Sequence, residues 1–402
     1  MAAIWAGRTA RDQGKSLRIA AFDGAARLGA KILVAGGGRC NVTHHRITEA
    51  DYAGSSRPAI RKVLLRFPVE RTIDFFRDLN VELKQEETGK LFPVTDRART
   101  VLDALLYAAE GYGVELRHPC RVHALRANGP QSFEVETDSG CWHARRVVLA
   151  TGGRALPKTG SDGAGYDLAK GLGHSITDYT FPALVPLVVT KPHPLLELTG
   201  IATPATLTVC SRSGKHHETF TGSTLLTHFG ISGPAVLDIS RYLSARRLCG
   251  EDVHLRINWL PHLTEAELDA KLRALGKVSP LRFLTEFLPE RLARTLCTLS
   301  GVEAGAAGHA LTREGRMSLL QSLNSFPLDL AGDRGFTFAE ATAGGVPLRE
   351  ITLETMESRL VPGFSLCGEV LDVDGRVGGF NFQWAWASGF VAGTAAANSI
   401  CP

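Results

Sequence analysis

Leu366-Cys-Gly-Glu-Val-Leu-Asp-Val-Asp-Gly-Arg-Val-Gly-Gly-Phe-Asn-Phe-Gln383 is the stretch on which the reading of this chain turns. An apolar run, Gly363-Phe-Ser-Leu-Cys367, leads into it, and a small-residue segment from Ala385 to Ala397, with the composition of a helix, follows it. Between them lie glycines (Gly368, Gly375, Gly378, Gly379) and acids (Glu369, Asp372, Asp374). Strand, glycine-and-acid turn and helix start, in that order, gather backbone N–H groups and the positive end of a helix dipole around one place. A phosphate or an electron-rich ring is what such a place holds. The predicted helix start is Gly379-Phe-Asn-Phe382, so Gly379, Phe380, Asn381 and Phe382 are candidate ligand-binding residues. Asp374-Gly375 reads as a tight turn, and Trp384 and Trp386 read as core.

Working outward, 402 residues are long for one core and predict two or three domains. Hydrophobic content of 44% and charged content of 21% belong to an ordinary folded chain. A net charge of +4 with no long basic run argues against nucleic acid or an anionic membrane as partner. Eight cysteines are scattered without a C-x-x-C pair, which predicts reduced thiols and no metal site. No apolar stretch approaches the roughly 20 residues that span a bilayer. With no signal-peptide pattern either, the expected location is the cytoplasm.

The front of the chain predicts a helix over Met1 to Gln13, stopped by Gly14, then a buried parallel strand from Ser16 to Asp23. An acid ending the second strand of a dinucleotide-binding βαβ unit accepts hydrogen bonds from adenosine ribose hydroxyls, which makes Asp23 a candidate. Lys31-Ile-Leu-Val-Ala then runs into Gly36, Gly37 and Gly38, where a backbone can approach a ligand closely. Arg39 and Asn41 add a guanidinium fork and an amide. Cys40 between them reads as a redox thiol or as packing.

Helices are predicted from Ser56 to Leu79 on either side of Pro68 and from Thr95 to Tyr112, with a hairpin between them over Val81 to Val94. Short strands follow, the last from His143 to Ala150 and opening into Thr151, Gly152 and Gly153, as where backbone meets a cofactor. Gly160 to Gly165 reads as a turn capped by Ser161 or Asp162. From Leu187 to Ser240 the pattern is β. Glu251 to Trp259 continues it, Thr264 to Leu275 and Pro280 to Leu299 are helical, and Phe326 to Leu330 and Phe336 to Ala341 are β again. His228 reads as an acid or base facing a substrate pocket or as a hydrogen-bonded structural histidine.

Beyond the opening stretch, Gly36-Gly-Gly-Arg-Cys-Asn-Val-Thr43, Lys90-Leu-Phe-Pro93, Ala150-Thr-Gly-Gly153, Pro182-Ala-Leu-Val-Pro-Leu187, Leu226-Thr-His-Phe-Gly-Ile-Ser-Gly-Pro-Ala235 and Thr355-Met-Glu-Ser358 recur in order along the chain. In these motifs the chain resembles the HI0933-like family of FAD-binding flavoproteins, NAD(P)/FAD-dependent oxidoreductases that include aminoacetone oxidase-like enzymes. The resemblance implies an α/β fold: a Rossmann-like FAD-binding domain interrupted by a barrel-like β-rich domain and a small helical one. The expected division is 1–186 and 343–402 for the FAD-binding domain, 187–260 and 318–342 for the β-rich domain, and 261–317 for the helical one.

It also implies that Gly36 to Asn41 lies along the flavin and ribityl chain and that Glu369, after Gly368, accepts from ribityl hydroxyls. Lys31 is grouped with these cofactor-binding residues. The function expected is hydride transfer at flavin N5, with NAD(P)H as reductant and a small molecule as substrate. The alternatives are an oxidase that passes electrons to O₂ and a flavin-binding or cofactor-free interaction protein. One departure bears on the last: the first strand and the G-x-G-x-x-G loop that should precede Met1 are absent. Either a start site has been set too far downstream, or this is a short form without its pyrophosphate loop.

Overall fold

In the computed structural model, which describes residues 1–129 and 131–400, the chain forms two compact units. They are Met1–Phe181 with Glu340–Pro402, and Pro182–Ala339.

The first unit carries two pairs of parallel strands. Ile19–Phe22 pairs with Val114–Arg117, and Val147–Leu149 pairs with Phe364–Leu366, beyond which Glu357–Ser358 and Ile351–Thr352 add antiparallel. No hydrogen bonds join Ile19–Phe22 to Val147–Leu149 among the described residues; a cavity of about 1010 Å³ lies between them. The 19-residue helix Phe380–Asn398 runs through the core, and Ala2–Asp12 packs against it. That approach needs glycine, because a Cβ on Gly393 would stand 2.0 Å from the Ala2 carbonyl oxygen. Trp5, Phe67, Phe75 and Phe390 close the same side with ring centroids 4.7–6.4 Å apart.

The second unit is built on a seven-stranded sheet. Its order is Phe326–Leu328, Val253–Asn258, Ala202–Ser211, His216–Thr227, Gly230–Ser232, Leu187–Val189, Leu330–Asp333. Buried Leu207, Leu226, Leu255 and Ile257 supply its apolar face. Helices Glu265–Arg273, Pro280–Leu284, Glu290–Leu299 and Arg313–Asn324 bury Leu268, Leu284, Leu292, Leu296 and Leu323 in the same core.

Several local expectations change. The stretch His143 to Ala150 is two strands, Gly140–Ala144 and Val147–Leu149, because Val147 turns away to donate to the Gly363 carbonyl. Pro280 to Leu299 is two helices, broken before Pro289, which disfavours helical backbone at the residue it follows. Within the stretch read as β up to Ser240, Pro234–Leu248 is a helix. Phe336 to Ala339 forms no strand. Gly163, not Ser161 or Asp162, caps Ala164–Gly171, while Asp162 Oδ1 accepts from Ala164 N at 3.1 Å. Asp374-Gly375 lies in a short strand, Val373–Gly375, antiparallel to Tyr52–Gly54.

Candidate functional site

The candidate residues of the first unit lie on four chain segments, and three of the segments meet around Glu369. Its Oε2 pairs with Lys31 Nζ at 2.7 Å and its Oε1 accepts from Thr342 N at 2.9 Å. Thr342 Oγ1 in turn accepts from Arg154 N (2.7 Å) and Ala155 N (3.0 Å), which pins the loop after the strand Val147–Leu149. Gly153 sits against this group: a Cβ there would stand 2.5 Å from Thr342 Oγ1 and 2.7 Å from Glu369 Oε1. Glycine at 153 is therefore a steric requirement. Gly368, before Glu369, has φ 77° and open space where a Cβ would point. Gly152 has φ 74°, and Thr151 and Gly152 line the 1010 Å³ cavity.

The fourth segment is the start of the helix Phe380–Asn398. Gly379, with φ 94°, is its N-cap, and no side chain caps it. A Cβ on Gly379 would meet the Thr43 backbone at 2.6 Å, so the helix start is held against the segment that follows the glycine loop. Asn381 fastens the turn before it, Oδ1 accepting from Gly375 N (2.8 Å) and Nδ2 donating to Gly375 O (3.0 Å). The Tyr52 hydroxyl donates to Phe380 O at 2.8 Å. Phe380 is buried under His44, 5.0 Å away, and Phe382 stacks on Trp386 at 5.4 Å. Trp384 and Trp386 are buried, donating to Gly368 O (3.1 Å) and Val42 O (2.9 Å). They tie the helix to both neighbouring glycine segments.

Gly36 (φ 56°), Gly37 (φ 68°) and Gly38 (φ 86°) leave the helical course begun at Ala30. Gly37 faces open space. Asn41 is buried and its Oδ1 has no hydrogen-bond partner among the described residues. Arg39 is committed to protein: Nη1 pairs with Glu86 at 2.6 Å, and the guanidinium lies 4.0 Å from the Phe92 ring centroid. Cys40 is fully buried, and desolvation pushes its thiol up to about 12. That favours packing over a redox role, since the thiolate is the reactive form.

Asp23 ends the strand Ile19–Phe22 and lines the cavity. Its Oδ1 accepts from Ala25 N at 2.8 Å, and its other carboxylate oxygen takes no hydrogen bond among the described residues. His228 belongs to the second unit, where it is exposed in the turn after His216–Thr227, edge-on to Phe229, with no hydrogen bond among the described residues.

FAD fits these residues in four respects. The uncapped helix start suits negative charge on the ring. The orphaned Asn41 oxygen lacks a donor, and Gly37 and Gly368 expose backbone. The cavity, just above the roughly 300–1,000 Å³ range of small-molecule pockets, carries Asp23, Lys31, Thr151 and Gly152 in its lining. The Thr342 support of Glu369 and Gly153 escaped the sequence reading, because nothing local marks a threonine far along the chain as their partner.

A family model described as the HI0933-like protein Rossmann domain matches residues 1–395. Among curated proteins, the 3-dehydro-bile acid delta(4,6)-reductase of Clostridium scindens is 34% identical, over 92% of this chain and 90% of its own. The ribosomal RNA dihydrouridine synthase of Escherichia coli is 33% identical, over 92% of this chain and 90% of its own. Among solved structures, the 3-ketosteroid-delta4-(5alpha)-dehydrogenase of Rhodococcus jostii RHA1 has a TM-score of 0.46 and 15% identity over 98% of this chain and 94% of that one. With a family match along nearly its whole length and relatives above 30% identity over nine-tenths of it, the chain belongs to the HI0933-like family.

Proposed function

We propose that this FAD-dependent oxidoreductase, with NAD(P)H as the source of electrons, saturates a carbon–carbon double bond conjugated to a carbonyl in a small molecule. The observation that carries the cofactor is the close meeting of Gly153, Thr342 and the Lys31–Glu369 pair beside the uncapped start of Phe380–Asn398. The reaction class draws on the two curated relatives: a delta(4,6)-reductase and a dihydrouridine synthase both, by name, remove a double bond.

When bound, FAD supplies hydride chemistry at its N5 position. In this reading Glu369 accepts hydrogen bonds from ribityl hydroxyls, with Lys31 fixing the orientation of its carboxylate. Asp23 accepts from the adenosine ribose. Thr151, Gly152 and Gly153, with Gly36 to Asn41, lay backbone along the cofactor. The N–H groups at Phe380, Asn381 and Phe382 stabilise negative charge on the ring. The division of the inserted block into a β-rich part (187–260 and 318–339) and a helical part (261–317) belongs to the same proposal; residues 340–342, expected in the β-rich part, fall in the first unit.

A small molecule is preferred to RNA as substrate because the net charge of +4 is dispersed without a basic run. The test is an anaerobic assay of purified, FAD-loaded protein with NADH or NADPH, a steroid enone and a uridine oligonucleotide. Nicotinamide oxidation matched by loss of the enone is expected. Peroxide release in air without loss of any alkene, or saturation of the oligonucleotide alone, would overturn the proposal.

A further inference from the structure

In the second unit the strand Leu187–Val189 pairs on one side with Gly230–Ser232 and on the other with Leu330–Asp333. The register sets Phe229, which precedes Gly230–Ser232, beside Val189 and Arg334, which follows Leu330–Asp333, beside Pro186, and the long Arg334 side chain spans the strand between them. Phe229 is fixed by its carbonyl, which accepts from Val189 N at 3.0 Å, and Arg334 by its own N–H, which donates to Pro186 O at 3.1 Å. The Arg334 guanidinium lies 4.3 Å from the Phe229 ring centroid and 3.8 Å from that of Phe338. Two rings thus hold one half-buried cation.

Two things about this cluster have no internal purpose. The Arg334 side chain makes no hydrogen bond and no ion pair among the described residues, although a guanidinium carries five N–H donors in a rigid fork. The nearest carboxylate in sequence, Asp333, turns instead to Gly335 N, with Oδ1 accepting at 2.8 Å. Phe338 is 47% exposed, a large ring left in water beside that cation. Exposed His228 stands edge-on to Phe229, 5.2 Å away, and completes the rim.

A fork whose orientation is already fixed by aromatic contact gives up little further freedom on binding. Its in-plane N–H pairs match the two oxygens of a carboxylate. We infer that Arg334, Phe229 and Phe338 form a recognition site for an amphipathic acid, the fork of Arg334 taking a single carboxylate while Phe338 covers the apolar body. A polyanion is a poor match, since nucleic-acid affinity comes from neutralising several phosphates at once and this site offers one cation. Assigning the acid as the substrate of the reaction proposed above rests on that reading; carboxylate binding by the site does not.

Equilibrium dialysis of the full chain against cholate, methyl cholate and a uridine hexanucleotide tests this without any turnover. The wild type is expected to bind cholate about tenfold more tightly than its methyl ester, and Arg334→Gln to bind both alike. Arg334→Lys, which keeps the charge and loses the fork, should retain part of the preference. Phe338→Leu should weaken acid and ester equally. Equal binding of acid and ester by the wild type, or an undiminished preference in Arg334→Gln, would overturn the site. So would a hexanucleotide whose affinity falls with Arg334→Gln as far as that of cholate. Acid preference without turnover of any enone would refute the proposed reaction and leave the site standing.

Discussion

At the scale of single residues, Gly153 and Cys40 make opposite predictions. Gly153→Ala puts a methyl group 2.5 Å from Thr342 Oγ1 and 2.7 Å from Glu369 Oε1. Overpacking of that kind costs about 1–3 kcal/mol, and here it also turns Glu369 away from Lys31. Calorimetry should show a lower Tm, and FAD retained on gel filtration should fall; an unchanged FAD content would remove Glu369 from the site. Cys40, buried and held as a thiol, should resist iodoacetamide in the native protein, while exposed Cys141 and Cys249 react. Peptide mapping that finds Cys40 alkylated first would restore its redox reading. The glycines and Glu369 were legible as candidates because strand, glycine and acid in that order have few other uses. Thr342 and the commitment of Arg39 to Glu86 were not, since each depends on a partner remote in sequence.

Among elements, the helix Phe380–Asn398 is held by side chains that the sequence marks only as polar or bulky. Gln383 is 1% exposed: its Oε1 accepts from Thr43 Oγ1 and Thr72 Oγ1, each at 2.8 Å, and its Nε2 donates to Phe67 O at 2.8 Å. Gln383→Leu strands three buried groups, at a cost of about 3 kcal/mol or more. Urea unfolding should show a lowered midpoint with an unchanged slope. Thr355-Met-Glu-Ser358, singled out in the sequence without a role, proves to be a brace. Ser358 Oγ bonds to His174 Nε2 at 2.8 Å and accepts from Leu360 N and Val361 N, and His174 Nδ1 meets Glu350 Oε2 at 2.8 Å.

Burial alone would raise the Glu350 carboxyl, but hydrogen bonds from Ser175 and His174 bring it below the usual glutamate range. A carboxyl depressed by folding adds stability that is complete above its unfolded pKa, roughly 4.3, and is lost as pH falls through the lower folded value. The wild type should therefore exceed Glu350→Gln in stability at neutral pH, with the gap closing on acidification; a gap constant with pH would contradict this. Most helices and strands were legible from their periodicity. Pro234–Leu248 was not, although Gly233-Pro234 is a helix-start signal and Ala235, Val236, Ile239 and Leu243 are buried at helical spacing. The strands on either side set the expectation instead, and they misled it.

For the whole molecule, each unit has its own apolar core, one around Phe67, Phe364 and Trp384 and the other around Leu207, Ile257 and Leu292. The second unit is contiguous in sequence and large enough to fold by itself. Expressed alone, Pro182–Ala339 should unfold cooperatively in urea, and a gradual, non-cooperative transition would show that its core is incomplete. The α/β class and the interrupted order of the chain were readable from composition and motifs. Which distant segments pair, Ile19–Phe22 with Val114–Arg117 and Val147–Leu149 with Phe364–Leu366, was not, because such pairing leaves no local trace. The claim at the centre is that the first unit holds FAD through Glu369, the glycine loops and the start of Phe380–Asn398. Its most direct test is titration of the purified, flavin-stripped chain with FAD, followed by quenching of flavin fluorescence. The account predicts saturable binding of one FAD per chain, weakened by Glu369→Ala; a folded chain that takes up no FAD would contradict it.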